Sequence, residues 1–370
     1  MEQSKFIKWI NENFKGAVIH VVEKTNGKPN EMALTYMYKT MLRKQFSVTG
    51  KWESINILNT RVSADVVAMD SSLPLKMRDT IQKVSGDIPK VGMELWLNET
   101  QLTELDTLIA TKIDKSEILA RIFQDLPRVI TGVYELNERL FLEGLSTGVV
   151  SLFEDKNTGT SIRLDYGYLT ENKFGVSVLW NNVAAKPLDD LSVIVKKAKH
   201  TDGHTITNVY MDDITFDYFV RTNQVKEYFA FIVHNIIRES ENAFMPVPTL
   251  ENVNEAFRKD NKYRFQIHIV DRTVKVEKNG KRTTVTPWSE GKVILTTSQE
   301  VGVLAYARLA EQNSPVSGVS YQTADDYILI SKFRENRPSL KEFTTSQARV
   351  VPVICNVEQI YQLDSKLVSA

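Results

Sequence analysis

The sequence predicts an α+β protein, and three of its features carry that prediction. One is a helical stripe: Ile118, Ile122, Leu126, Val129, Val133, Leu136 and Leu140 step by three or four residues along a single face. Another is alternation, clearest where Tyr263, Phe265, Ile267 and Ile269 are separated by Arg264, Gln266 and His268, the period of a half-buried strand. The third is a long polar stretch between strand-like runs, SSLPLKMRDTIQKVSGDIPKVG, with Pro74, Gly86, Pro89 and Gly92 in it. A loop that long without a core of its own is uncommon in a compact domain and is usually functional.

From the N-terminus, residues 1–51 read as helical and basic. Phe6, Trp9, Ile10 and Phe14 are spaced for one face, and nine Lys/Arg stand against four Glu. Such a segment is an arm with its own apolar stripe, able to pack on its own domain or on a neighbour. Residues 52–98 carry β-like runs at 54–58, 61–69 and 92–97 around the polar stretch. Two extended arms joined by a long tip make a protruding loop whose function could be to reach another subunit.

The helical stripe comes next. Pro127 interrupts it, which predicts a kink or a restart with proline in the first turn. From Pro127 to Leu145 the helix is roughly 28 Å long at 1.5 Å per residue, with Gly144 and Gly148 as stop signals. Between Glu94 and Leu145 ten acids face five bases, a deficit that mirrors the basic arm. Further on, strands are expected at 149–153, 161–164, 176–180 and 206–211, and helices at 188–200, 214–220 and 226–238. Asn279-Gly280, between Lys278 and Lys281, marks a hairpin, because Asn-Gly tolerates the positive φ of a type I′ turn. The last strand-like runs are 327–333 and 349–357.

Composition narrows the function. Lys plus Arg equals Asp plus Glu at 46 each, so the whole chain has no cationic footprint for nucleic acid. Cys355 is the only cysteine, which rules out an intrachain disulfide and a cysteine metal cage and suits a reducing cytoplasm. The first residues contain no signal-peptide core, and no apolar run is long enough to span a membrane.

Several local patterns suggest chemistry and then weaken on context. Gly144-Leu145-Ser146-Thr147-Gly148 matches the G-x-S-x-G elbow of hydrolases, but here a helix precedes the serine where the elbow needs a strand. His200 and His204 have zinc spacing, yet Thr201-Asp202-Gly203 between them is a turn signal and no third ligand is evident. Phosphate-loop motifs are absent. The pairs Asp189-Asp190, Asp212-Asp213 and Asp325-Asp326 suit helix starts and turns better than acid/base catalysis. Residues 258–282 hold nine cations against three acids, a solvated strand face or a mild nucleic-acid face. The expectation is therefore no catalytic, cofactor or metal site; a metal-dependent hydrolase using His200 and His204 is the distant alternative.

Four stretches, in order along the chain, resemble the lambda-type major capsid proteins of tailed phages, the phage capsid protein E family. They are DLPRVITGVYELNERLFLEGLSTGVVSL (125–152), TNVYMDDITFDYFVRTNQVKEYF (207–229), YRFQIHIVDRTVKVEKNGKRTTVTPWSEGKVILTTSQEVGVLAYARLA (263–310) and TTSQARVVPVICNVEQIYQLDSKLV (344–368). The last reads as a closing strand and a polar tail. The resemblance implies the Hong Kong 97-type capsid fold. Residues 1–51 would be its N-terminal arm, 52–98 its extended E-loop, and 99–185 a peripheral (P) domain with a long spine helix. Residues 186–312 would be an axial (A) domain, and 313–370 strands returning to the P domain.

On that resemblance the chain is a virion protein, assembled in a bacterial cytoplasm into hexamers and pentamers of a phage head. It would work with a separate scaffolding protein and a portal protein, could take a decoration protein, and would touch packaged dsDNA without sequence preference. Expected inter-subunit contacts are the arm lysines Lys5, Lys8 and Lys15 against Glu135, Glu138 and Glu143 of a neighbour's spine helix. Leu73, Lys76, Arg78 and Lys83 in the E-loop are expected to lie over another subunit. Isopeptide cross-linking, known in some relatives of the fold, is not expected of the lambda type. An encapsulin-like nanocompartment shell is the nearer alternative, since it would share the fold and enclose cargo protein.

Overall fold

The computed structural model describes residues 1–26, 36–57, 81–111, 114–152, 162–234, 245–260, 263–278, 280–336 and 339–369. In chain order the first half runs α1 (Ile7–Asn26), α2 (Met37–Met41), β1 (Leu42–Phe46), β2 (Lys51–Ile57), β3 (Ile81–Asp87), β4 (Lys90–Leu97), α3 (Glu99–Ala110), α4 (Lys115–Ile122) and α5 (Leu126–Thr147). It continues through β5 (Val149–Leu152), β6 (Ile162–Asp165), β7 (Lys173–Val176), α6 (Pro187–His200), β8 (Asn208–Met211), α7 (Asp213–Arg221), α8 (Asn223–His234) and α9 (Leu250–Lys259). Strands β9 (Gln266–Ile269), β10 (Val274–Lys278), β11 (Lys281–Val285), β12 (Lys292–Thr296) and β13 (Gly302–Ala307) follow. The chain ends with α10 (Ala310–Asn313), β14 (Ser320–Ala324), β15 (Ile328–Asn336), β16 (Leu340–Ile354) and β17 (Ile360–Val368).

The chain divides into two units: Met1–Trp52, Ser85–Phe141 and Val303–Val353 form the first, and Glu53–Val84, Leu142–Gly302 and Ile354–Ala370 the second. The first is built on a sheet ordered β1-β13-β16-β15-β14, with β4 also pairing β16. Register fixes that sheet: Phe343 lies opposite Phe333 on β15 and opposite Trp96 on β4. Its helices bury an apolar face that includes Ile10 and Phe14 of α1 with Val129, Ile130 and Val133 of α5. Phe14 stacks on Phe123, ring centroids 6.0 Å apart. Here the expected arm is a helix whose stripe is buried within its own chain. It ends at Asn26, after which α2 and β1 occupy residues the sequence reads as helical.

Local signals account for the helices around the stripe. Asn98 accepts from the N–H of Gln101, whose side chain accepts from the N–H of Asn98, a capping box that starts α3. Asp114 caps α4. The stripe then breaks at residues 123–125, and α5 restarts with Pro127 in its first turn, where a missing N–H costs nothing. Gly148, with φ +79°, ends α5. Gly144 is no stop, because the helix runs through it; a Cβ there would lie 2.6 Å from the Tyr166 ring, so close approach explains that glycine.

The second unit has a sheet ordered β7-β17-β12-β8-β9 and two ribbons of two strands, β5-β6 and β10-β11. Its core gathers Trp180, Leu191, Ile194, Val209, Met211, Phe219, Phe257, Tyr263, Phe265, Leu295 and Leu363. The alternation over 263–269 yields only four strand residues, yet Tyr263, Phe265 and Ile267 are buried as that pattern requires. Gly280 has φ +74° at the hairpin between β10 and β11. The C-terminal stretch expected to return as one piece is divided: β14 to β16 build the first sheet, while β17 pairs with β12 and β7 in the second. Asn356, at φ 53°, makes the turn between β16 and β17. Strands β2 and β3 pair with each other as a separate ribbon, and the residues between them, 58–80, lie outside the described ones.

Candidate assembly surfaces

The acids of α5 are already engaged inside the chain. Glu138 is 0% exposed, and its two carboxylate oxygens accept from the backbone N–H groups of Met37 at 2.9 Å and Tyr38 at 3.1 Å. It thereby satisfies the free amides at the start of α2, so it is a buried cap and not the exposed acid the sequence suggests. Glu135 accepts from the Tyr36 hydroxyl at 2.9 Å, and Glu143 from the Ser151 N–H at 3.2 Å. Among the arm lysines, Lys8 and Lys15 are exposed, while Lys5 pairs with Asp106.

Beside Glu138 lies a set of tyrosines that the sequence does not announce. The Lys39 ammonium sits 3.3 Å from the centroid of the Tyr134 ring and 3.2 Å from an Asp325 oxygen. Lys44 bridges Asp325 and Asp326, each at 2.7 Å, across a turn in which both acids have positive φ. Burial pushes the Asp325 carboxyl up, but the two lysines outweigh it and hold it below its ordinary value. Burial lowers Lys39 despite that same acid. This network locks residues 36–44 to α5 and to the β14-β15 turn, which polar contacts do directionally.

A second buried charge, Lys332, interrupts the apolar run Ile328–Phe333. Its Nζ donates to the carbonyl of Ile122 at 2.9 Å and to Thr344 Oγ1 at 2.7 Å. Burial lowers it to about 8 against the pull of Glu342 and Asp125. Glu342, itself raised by burial, accepts from the Lys5 N–H at 2.8 Å. The N-terminal residues are thus held at two points, since Glu2 also exchanges backbone bonds with Arg334 at 2.8 and 2.9 Å.

Surfaces suited to another chain lie elsewhere. Strand β4 pairs with β16 on one side and with no strand on the other among the described residues. It carries Trp96, 50% exposed, which contacts Phe343 at 6.2 Å and lies under the Lys341 ammonium at 4.7 Å. An edge strand with an exposed aromatic is a ready place for another chain to pair. Phe46 and Val48 on and after β1 are exposed as well. In the second unit Phe231 of α8 is 53% exposed, and Val178, Val183 and Val193 are exposed around α6. Of the E-loop positions, Leu73, Lys76 and Arg78 lie outside the described residues, and Lys83 is on β3.

The patterns that suggested chemistry resolve into structural contacts. Ser146 is buried at the end of α5, donates to the Glu143 carbonyl and accepts from the Ser289 N–H at 3.1 Å. His200 is exposed at the end of α6, whereas His204 Nδ1 lies 3.1 Å from the Tyr361 hydroxyl, which donates to Asp202 at 2.7 Å. Asp190 accepts from Ser177 and from the Trp180 indole, and Asp212 caps α7 by accepting from the Thr215 N–H. Among the described residues no three His, Cys, Asp or Glu converge as a metal site, and no helix is long and apolar enough to cross a membrane.

No family model and no curated protein sequence matches the chain. Solved structures do. One is a protein assigned as the capsid protein of a prophage in Escherichia coli CFT073, with a TM-score of 0.54 at 10% identity over 89% of this chain and 92% of that one. Another is a phage-related protein of Bordetella bronchiseptica RB50, with a TM-score of 0.51 at 10% identity over 96% and 97%. These likenesses show the fold: an α+β architecture of the Hong Kong 97 type found in phage capsid proteins.

Proposed function

We propose, on the premise of that fold, that this chain is a major capsid protein that assembles with copies of itself into the hexamers and pentamers of a phage head. The observation that carries the proposal is the extent of the likeness, which spans nearly the whole chain and leaves little of it for a different task. The surfaces agree with it. A subunit with a separate β2-β3 ribbon, a β4 edge unpaired among the described residues and half-exposed Trp96 and Phe231 leaves groups open that contacts between copies would cover. Obligate interfaces of this kind commonly bury more than ~2,000 Å². A scaffolding protein, a portal protein, a decoration protein and packaged dsDNA are the further partners the reading implies. Assembly would take place in a bacterial cytoplasm.

Within this reading Lys8 and Lys15, exposed and without an ion pair among the described residues, are arm cations that can meet a neighbour, and Leu73, Lys76, Arg78 and Lys83 remain the proposed E-loop contacts. Pairing of Lys5, Lys8 and Lys15 with Glu135 and Glu143 of a neighbour would have to compete with the in-chain partners described above, and Glu138 drops out because it is buried.

Negative-stain electron microscopy of the protein, expressed with and without its neighbouring genes, tests the proposal. Closed shells, sheets or ring-shaped capsomers are expected. A uniform small particle in both conditions would sink it, and shells that copurify with one cargo protein would move the reading to a nanocompartment. Reversing Lys5, Lys8 and Lys15 together should block or mis-size assembly; normal shells from that variant would remove the arm from the interface.

A further inference from the structure

The β10-β11 ribbon stands outside both large sheets, and among its described residues Val274 alone is buried. It adds little to the core, and two strands alone are marginally stable. Its charge is lopsided: Lys275, Lys278, Lys281 and Arg282 stand against Glu277, a net of +3 in a chain whose total is zero. Glu277 is matched by Arg282 at 2.7 Å. Lys275 and Lys281 are exposed and have no acidic partner among the described residues.

We propose that this ribbon is a contact for the phosphate backbone of nucleic acid. Its composition separates that partner from a second copy of the chain. Protein interfaces favour aromatic residues, Met and Arg and are depleted in Lys, and residues 274–285 hold three Lys and no aromatic. Lys, Arg and Thr are the side chains that bind phosphate oxygens without reading sequence, and Thr283 and Thr284 are exposed beside the cations. The remainder of the chain carries a net −3 against the ribbon's +3, which confines the attraction to this place, so binding is weak per subunit and strongly salt dependent. The proposal rests on the shell reading for the source of the nucleic acid, but the contact can be measured without a shell.

The probe is a fluorescent 30-base-pair duplex of arbitrary sequence, titrated with the full chain at several KCl concentrations. The variant is Lys275→Ser, Lys281→Ser and Arg282→Ser together; the control removes the same charge at the exposed Lys173, Lys196 and Lys199. Wild type and control should bind alike. The ribbon variant should bind more weakly, with a log K against log[salt] slope shallower by about 2–3. Equal binding by variant and control, or no binding by wild type, overturns the proposal. If the variant binds duplex normally but fails to form capsomers, the ribbon's partner is an acidic face of another copy. Duplex binding that needs the ribbon, by a chain that never assembles, would keep this contact and sink the shell reading instead.

Discussion

In the first unit a lysine, Lys332, is buried together with Glu342, Glu138 and Thr345 and bonded across elements, whereas the second unit buries the acids Asp190 and Asp212 but no lysine or arginine among the described residues, and closes mainly on rings and aliphatic chains around Trp180, Phe219, Phe257, Tyr263 and Phe265. The two interiors do different work. Apolar packing is non-directional and scales with area, so it holds the second unit together without dictating one partner for each side chain. A buried ammonium or carboxylate is costly unless it meets its own donors and acceptors. In the first unit these contacts therefore decide which segments meet: residues 37–38 on Glu138, the N-terminus on Glu342, and the end of α4 on Lys332.

The contrast can be broken at Lys332. Lys332→Ala should destabilise the protein by about 3–5 kcal/mol in chemical denaturation, because it leaves a cavity, removes the donor of the buried Ile122 carbonyl and Thr344 hydroxyl, and takes away the positive charge that favours the Glu342 carboxylate. Replacing both charges, Lys332→Met with Glu342→Leu, should recover most of that loss, though the Lys5 N–H loses its acceptor. Phe257→Ala in the second unit should cost a similar 3–5 kcal/mol, with the cavity term that no compensating charge removal can repair. A double variant at 332 and 342 no better than Lys332→Ala would erase the distinction drawn here.

A pH titration sharpens the same point. Folding lowers Lys332 to about 8 from an ordinary 10.5. Between those values the unfolded chain holds a proton that the folded chain has released. Stability should therefore rise with pH across that window, by up to about 1.4 kcal/mol per unit. Below pH 8 the cost of burying the charge is fully present. Denaturation midpoints measured from pH 7 to 10.5 should climb for the wild type, and Lys332→Met should lack that rise.

The same division explains what the sequence could disclose. The α5 stripe and the turn at Gly280 are local, so periodicity and turn chemistry reveal them. Glu138 is not local: its partners lie about a hundred residues away, and nothing in VYELNERL distinguishes a buried cap from a solvent-facing acid. Lys332 did leave a signal, a lysine inside the apolar run YILISKF, whose meaning appears only once Ile122 and Thr344 are beside it. Helix α9 is short, with an apolar stripe of Leu250, Val253, Ala256 and Phe257, and hides among its charges. The exposed Trp96 surface depends on β4 being an edge strand, which pairing order alone decides.

Glycine 144 offers a smaller test, on the second unit's side of the comparison. Its missing Cβ admits the Tyr166 ring, and Val150 stands 3.1 Å from the same point. Both neighbours are buried, so neither can yield cheaply. Gly144→Ala should cost about 1–3 kcal/mol by overpacking, despite the better helix propensity of alanine. A neutral or stabilising effect in thermal denaturation would show that Tyr166 and Val150 give way and that their close approach does not require this glycine.

The smallest effect is expected at Asn98. Its side chain and that of Gln101 satisfy each other's backbone amides at 3.0 Å, on the surface. The bonds are directional, like those of Lys332, but water can replace them. Asn98→Ala should therefore cost about 1 kcal/mol, the usual value of a lost cap, with Asn98→Ser close to wild type. If Asn98→Ala costs as much as Lys332→Ala, direction alone would matter and burial would not. If it costs far less, the energy of the first unit's polar contacts lies in their removal from water.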